Sequence, residues 1–107
     1  MATLSIQERK RLRQIGHAVN PVVMLGGSGL TENVVEEILR ALNDHELIKV
    51  KIAGEDREER AAIIAEIAST TGAEIVQTIG KIALLYKKAA KQNAKLSNLV
   101  RFAHAAK

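Results

Sequence analysis

The residues with the clearest chemical capacity stand four in a row, Gly26-Gly27-Ser28-Gly29. They follow the apolar run Val22-Val23-Met24-Leu25 and precede Thr31, a residue suited to cap a helix. Glycine reaches positive φ without a Cβ clash, so such a loop can turn backbone N–H groups outward to bind an anion. A helix starting just after it adds free donors and a partial positive charge. Phosphate is the ligand this arrangement suits. Both the Gly-Lys-Ser/Thr ending of a P-loop and G-x-G-x-x-G spacing are missing, so neither ATP nor a dinucleotide is expected and no cofactor is assigned. Read for geometry alone, the same glycines make an ordinary tight turn.

Basic side chains are available to help. Lys10, Arg13 and His17 share one side of an N-terminal helical pattern, and Lys81 follows Gly80 between two apolar runs, at the tip of an expected hairpin. Gly26-x-x-Gly29 also has the spacing with which KH domains clamp a single-stranded backbone, which points to RNA. The chain holds one Tyr and one Phe, Tyr86 and Phe102, too few for a base-stacking platform, so backbone and shape readout are expected. The expected RNA contacts are therefore Gly26, Gly27, Ser28, Gly29, Lys10, Arg13, His17 and Lys81.

No catalytic constellation assembles. With no cysteine there is no thiol nucleophile and no thiolate metal site, and no metal ligand set is expected. Asp44-His45-Glu46 comes closest, but adjacent side chains diverge, and the triplet sits where a helix gives way to a strand. A non-enzymatic protein is expected.

The formal net charge of the 107 residues is +4, and its distribution says more than its total. Residues 87–107 carry six Lys or Arg and no acid, whereas residues 1–86 hold 10 basic and 12 acidic residues. Clustered cations suit a polyanion, whose counterions they release. The alternative is a protein-interaction module that docks this basic face on an acidic partner. Absent cysteines fit a reducing compartment, and Met1 to Arg13 is too polar for a secretion signal or a membrane span. A soluble cytoplasmic protein without membrane association is expected, and a monomer.

The elements that must position these residues are legible in outline. Ser5 and Glu8 have capping-box spacing, and Leu12, Ile15 and Val19 recur at helical intervals until Asn20-Pro21. Val22–Leu25 reads as a buried strand, and Val34, Val35, Ile38, Leu39 and Leu42 as a helix stopped by Asn43-Asp44. Leu47–Ile52 alternates apolar residues with Lys49 and Lys51, a strand with one wet face. Asp56 and Glu59 open a third helix ending at Gly72, and two strands flank Gly80-Lys81. The order α-β-α-β-α-β-β implies a mixed four-stranded sheet with packed helices, an α/β single domain in which strand-helix-strand crossovers leave parallel neighbours. Residues 1–88 form this domain; residues 89–107 are expected to be a basic tail, weakly helical or disordered.

Taken together, VVMLGGSGLTENVVEEI, HELIKVKIAGEDRE and TGAEIVQTIGKIALLYK strongly resemble the CRM-domain family, specifically its small bacterial stand-alone YhbY type, over about residues 4–88. The resemblance implies a fold similar to the C-terminal domain of translation initiation factor three. It further implies binding of structured RNA through the GxxG loop and neighbouring basic residues. Ribosomal RNA of the large-subunit precursor is the implied partner, and large-subunit assembly the implied role.

Overall fold

Helix α1, Ile6–Gly16, begins with the reciprocal capping box: the Ser5 hydroxyl accepts from Glu8 N–H, and the Glu8 carboxylate accepts from Ser5 N–H. The structure is a computed structural model that describes residues 4–26, 29–54 and 56–102. After α1 come β1 (Pro21–Leu25), α2 (Glu32–His45), β2 (Leu47–Ile52), α3 (Arg57–Thr71), β3 (Glu74–Ile79), β4 (Ile82–Tyr86) and a one-turn α4 (Asn98–Arg101).

The four strands form one mixed sheet in the order β1-β2-β4-β3. β1 and β2 are parallel, and β4 is antiparallel to both β2 and β3. The first three strands therefore all run the same way, and the last strand of the hairpin is inserted between two of them. This is the expected α/β fold, with the strand of opposite sense inside the sheet.

Period-two alternation divides the core between the two faces. Ile48, Val50 and Ile52 of β2 join Ile38 and Leu42 of α2 and Ile64 and Ile67 of α3. Leu47 of β2 and Leu84 of β4 point the other way, to Leu12, Ile15 and Val19. The sheet is thus covered by α2 and α3 on one side and by α1 on the other. Each fully buried Leu or Ile contributes roughly 1.5–3 kcal/mol of transfer free energy.

Two helix ends differ from the sequence expectation. α1 stops at Gly16, several residues before Pro21, and a Cβ on Gly16 would lie 2.6 Å from Leu84 Cδ2. The missing side chain lets the helix end sit on the sheet. α2 runs through Asn43-Asp44 to His45 and ends at Glu46, whose φ of 62° is left-handed and whose N–H donates to the Leu42 carbonyl at 2.8 Å. At the end of α3, Gly72 takes the left-handed cap as expected.

Residues 89–102 close back on the domain rather than trailing from it. Ala89, Ser97 and Asn98 are buried, and Leu99 and Phe102 pack against the α1 core cluster. The Glu46 carboxylate accepts from Ala89 N–H, Gln92 Nε2 and Ser97 Oγ, and Asn98 Nδ2 donates to the Leu47 carbonyl at 2.6 Å. A compositional tail signal cannot reveal this, because its anchor is one buried acid far away in sequence.

Candidate nucleic-acid interface

The glycine loop leaves β1 at the end of the sheet where two other segments are tied to it. Leu25 C=O accepts from Ala53 N–H at 3.0 Å, and Lys81 C=O accepts from Ile52 N–H at 2.8 Å. The loop, the exit of β2 and the β3-β4 hairpin tip thus share one edge. Gly26 is exposed and open, and Gly29 has φ +72°. The Gly29 N–H donates to Gly26 C=O at 3.2 Å, so that donor is used to close the turn. Gly27 and Ser28 lie outside the described residues. The next element is capped as expected, with Thr31 Oγ1 accepting from Val34 N–H at 3.3 Å.

The basic residues divide by what they touch. His17, the C-cap of α1, is exposed and lines a hollow with Lys49. Arg13 is half-buried and Lys10 exposed, and they continue this stripe back along α1, about 10 Å from His17 to Lys10 at 1.5 Å per residue. Lys81 is exposed at the hairpin tip, and Lys51 is exposed on β2 beside it. Arg9, from the same basic block, has a different task. Its Nη1 donates to the carbonyls of Ile75 and Val76, at 2.6 and 3.3 Å, where the register of β3 slips against β4.

Residues 87–102 do not join this surface. Their anchors, Glu46 and Leu47, sit at the opposite end of β2 from Lys51, roughly 13 Å of strand away. Lys87 is also committed: its Nζ donates to Thr71 C=O at 2.7 Å, placing a cation at the C-terminal end of α3. Charge segregation along the chain therefore overstates charge clustering in space.

Lys51 belongs to the loop end of the sheet and Lys49 to the middle of β2, opposite Pro21 and Leu84, and both were legible only as the wet face of a strand. Arg57 and Arg60 give no sequence signal, because Asp56, Glu58 and Glu59 surround them. With Thr78 and Gly80 they line a cleft of about 640 Å³ on the α3 side of the hairpin. Arg60 Nη1 donates to Gly54 C=O at 2.7 Å, while its buried Nε has no partner among the described residues.

Two groups have shifted acidities. Burial alone raises the Glu46 carboxyl, but hydrogen bonds from Ala89, Gln92 and Ser97, with the charge of Lys88, outweigh it and hold the pKa below the usual carboxylate value. Tyr86, half-buried at the edge of the α1 cluster, is held protonated by burial, with the charges of Glu46 and Glu8 adding to the effect against Arg11. Both groups lie away from the loop. Of the Asp44-His45-Glu46 triplet, His45 Nδ1 meets Leu96 C=O at 2.8 Å and Glu46 turns inward, so they build the α2 end.

A mixed sheet of this order, with a glycine loop and the exposed Lys51 and Lys81 at one end, defines a small α/β domain with a basic edge. Residues 4–87 match the CRS1/YhbY (CRM) domain model, and the chain belongs to that family. It is 47% identical over 100 residues to a probable RNA-binding protein of Pseudomonas aeruginosa, covering 94% of this chain and 96% of that one. An RNA-binding protein of Haemophilus influenzae is 56% identical over 87 residues, covering 81% and 88%. Among solved structures, the solution structure of a hypothetical Staphylococcus aureus protein, described as a candidate RNA binder, superposes with a TM-score of 0.71. That match has 27% identity and covers 88% of this chain and 98% of that one.

Proposed function

We propose that this protein is a non-enzymatic RNA-binding factor that holds the RNA backbone at the loop end of its sheet and acts on large-subunit ribosomal RNA during assembly. The observation that carries this is the convergence of Gly26 and Gly29, the β2 exit with Lys51, and the Gly80-Lys81 tip, tied together by the Leu25–Ala53 and Ile52–Lys81 backbone bonds. Relatives named as RNA-binding proteins supply the ligand class. Phosphates meet the loop and Lys81, and His17, Arg13 and Lys10 extend the track along α1. The ribosomal target rests on the family resemblance. The site is cytoplasmic, and one copy suffices for it.

The test is a Gly26→Asp/Gly29→Asp variant. Neither position meets a heavy atom of the described residues within 4 Å of an added Cβ, and Asp tolerates the left-handed backbone of Gly29 better than most residues. Melting should stay cooperative, and affinity for structured RNA should fall at least about tenfold, since each new carboxylate opposes phosphate. Undiminished binding by the folded variant overturns the loop assignment. Crosslinking in cells should recover large-subunit precursor RNA, and its loss from the double variant ties that RNA to the loop. Recovery of scattered messenger fragments instead overturns the assembly role.

A further inference from the structure

The α1 side of the sheet is only half covered. Pairing register sets Met24, Lys51, Ile82 and Ile79 in one row across all four strands, at the end nearest the glycine loop. Met24 is 72% exposed and Ile79 63%. Beside this row, Gly16, His17, Lys49, Gln77 and Leu84 complete a mostly apolar hollow of about 160 Å³ with Ile79 and Ile82. The close seat of Gly16 on Leu84 forms one wall. Aliphatic side chains left open in a row beside a concave site mark a binding surface.

Its size and rim restrict the occupant. A helix with side chains is about 10–12 Å across, too wide for the hollow, which has room for about five water-sized groups at ~30 Å³ each. A single flat heterocycle fits. Among the described residues no carboxylate lines the hollow, while His17, Lys49 and Lys51 stand around it, an arrangement that complements an anionic strand. The Gln77 amide offers both donors and an acceptor, as the edge of a base requires.

We propose that this surface is a nucleobase platform. One unpaired base of an RNA strand enters the hollow with its edge toward Gln77 and Lys49, and the next lies on Ile82 and Ile79, with Met24 across the stem of Lys51. Their phosphates meet Lys51 and the loop end. The proposal rests on the RNA reading above and adds base contact to it, through aliphatic side chains in place of the aromatic ones that the chain lacks.

The experiment compares two labelled single strands of equal length by fluorescence anisotropy with the full chain, one of mixed-sequence RNA and one of abasic ribose-phosphate. The wild type should bind the base-bearing strand about tenfold more tightly, the scale of a base-stacking contact. Met24→Ser/Ile79→Ser changes only exposed positions, and circular dichroism should report unchanged melting. It should lose most of that preference and approach the wild-type affinity for the abasic strand, and an undiminished preference overturns the platform. Gln77→Ala should alter the preference among the four homopolymers.

Equal wild-type affinity for both strands, with Gly26→Asp/Gly29→Asp weakening both, overturns the platform while the backbone reading stands. Failure of the wild type to bind any RNA overturns both. A wild-type dimer in sedimentation that Met24→Ser/Ile79→Ser converts to monomer assigns the surface to a second copy and also overturns the platform.

Discussion

The Glu46 carboxylate accepts a 2.8 Å hydrogen bond from the Ser97 hydroxyl, 51 residues further along the chain, and both residues are buried. The same carboxylate takes Ala89 N–H and Gln92 Nε2, and the Glu46 carbonyl takes Lys87 N–H. One acid at the end of α2 therefore gathers residues 87–97 after β4. Glu46→Ala strands two buried donors, Ala89 N–H and Ser97 Oγ, at about 1–3 kcal/mol each. Chemical denaturation should show a loss of at least ~2 kcal/mol, and Ser97→Ala a smaller one. Because the two share a partner network, the double variant should lose less than the sum. Full additivity would mean that the bond carries no energy of its own.

The sign of the Glu46 shift sets its pH dependence. Its folded pKa lies below the usual 4.5, so the contribution is fully present at neutral pH and above the unfolded value. It fades as pH falls below about 4.5 and is gone once the folded carboxyl takes a proton. The stability gap between wild type and Glu46→Gln should therefore be constant from pH 7 down to about 5 and narrow in more acid solution. A gap that widens with acid would contradict the shift.

Cutting the chain after Lys88 tests the same network from the other side. The sequence sets these residues apart as a basic tail that the domain could lose. The structure buries Ser97 and Asn98 and packs Leu99 and Phe102 on the α1 cluster. Truncation leaves the Glu46 carboxylate buried without its donors and uncovers the Leu47–Tyr86 end of the sheet. At roughly 4–8 °C per kcal/mol for a domain of this size, Tm should drop by more than about 8 °C. An unchanged Tm would return the segment to the status of an appendage.

Arg9 and Arg13 belong to one basic block in sequence, yet they should behave oppositely. Arg9 holds the Ile75 and Val76 carbonyls at the β3 irregularity. Arg9→Met should cost about 1.5–3 kcal/mol of stability, the range for hydrogen bonds that involve a charged group, with RNA affinity unchanged in the folded fraction. Arg13→Met should spare stability and weaken RNA binding. Thermal melts with anisotropy titrations on both variants check the contrast, and a reversed pattern would exchange their roles.

The elements were legible because their signals are local: Ser5 with Glu8, Thr31, the Lys49-Lys51 alternation and Gly72 each act within a few residues. The loop was legible as chemistry for the same reason. Long-range facts were not. Nothing near Glu46 announces that it binds residues 89–97, and nothing in Gly16 says that Leu84 lies against it. The α1 end was misplaced because Asn20-Pro21 is a strong stop while the packing that ends α1 at Gly16 is tertiary. Cations were the least legible. Arg9, Arg60 and Lys87 contribute to the same count as Lys51, which stands exposed at the loop end, but each serves a backbone carbonyl at its own place in the fold.

Position in the fold predicts which lysines the salt dependence of binding will detect. A cation that neutralises one phosphate of a single strand contributes about −0.7 to the slope of log affinity against log salt. Lys51 and Lys81 stand at the loop end of the sheet, so Lys51→Gln and Lys81→Gln should each flatten the slope by about that amount. Lys91 lies in the segment anchored at the far end, between Ala89 and Gln92, which reach Glu46. Lys91→Gln should leave the slope unchanged, although by formal charge it is an equal loss. Equal flattening by all three would mean that the polyanion sees the net charge of the chain and not the geometry of the loop end.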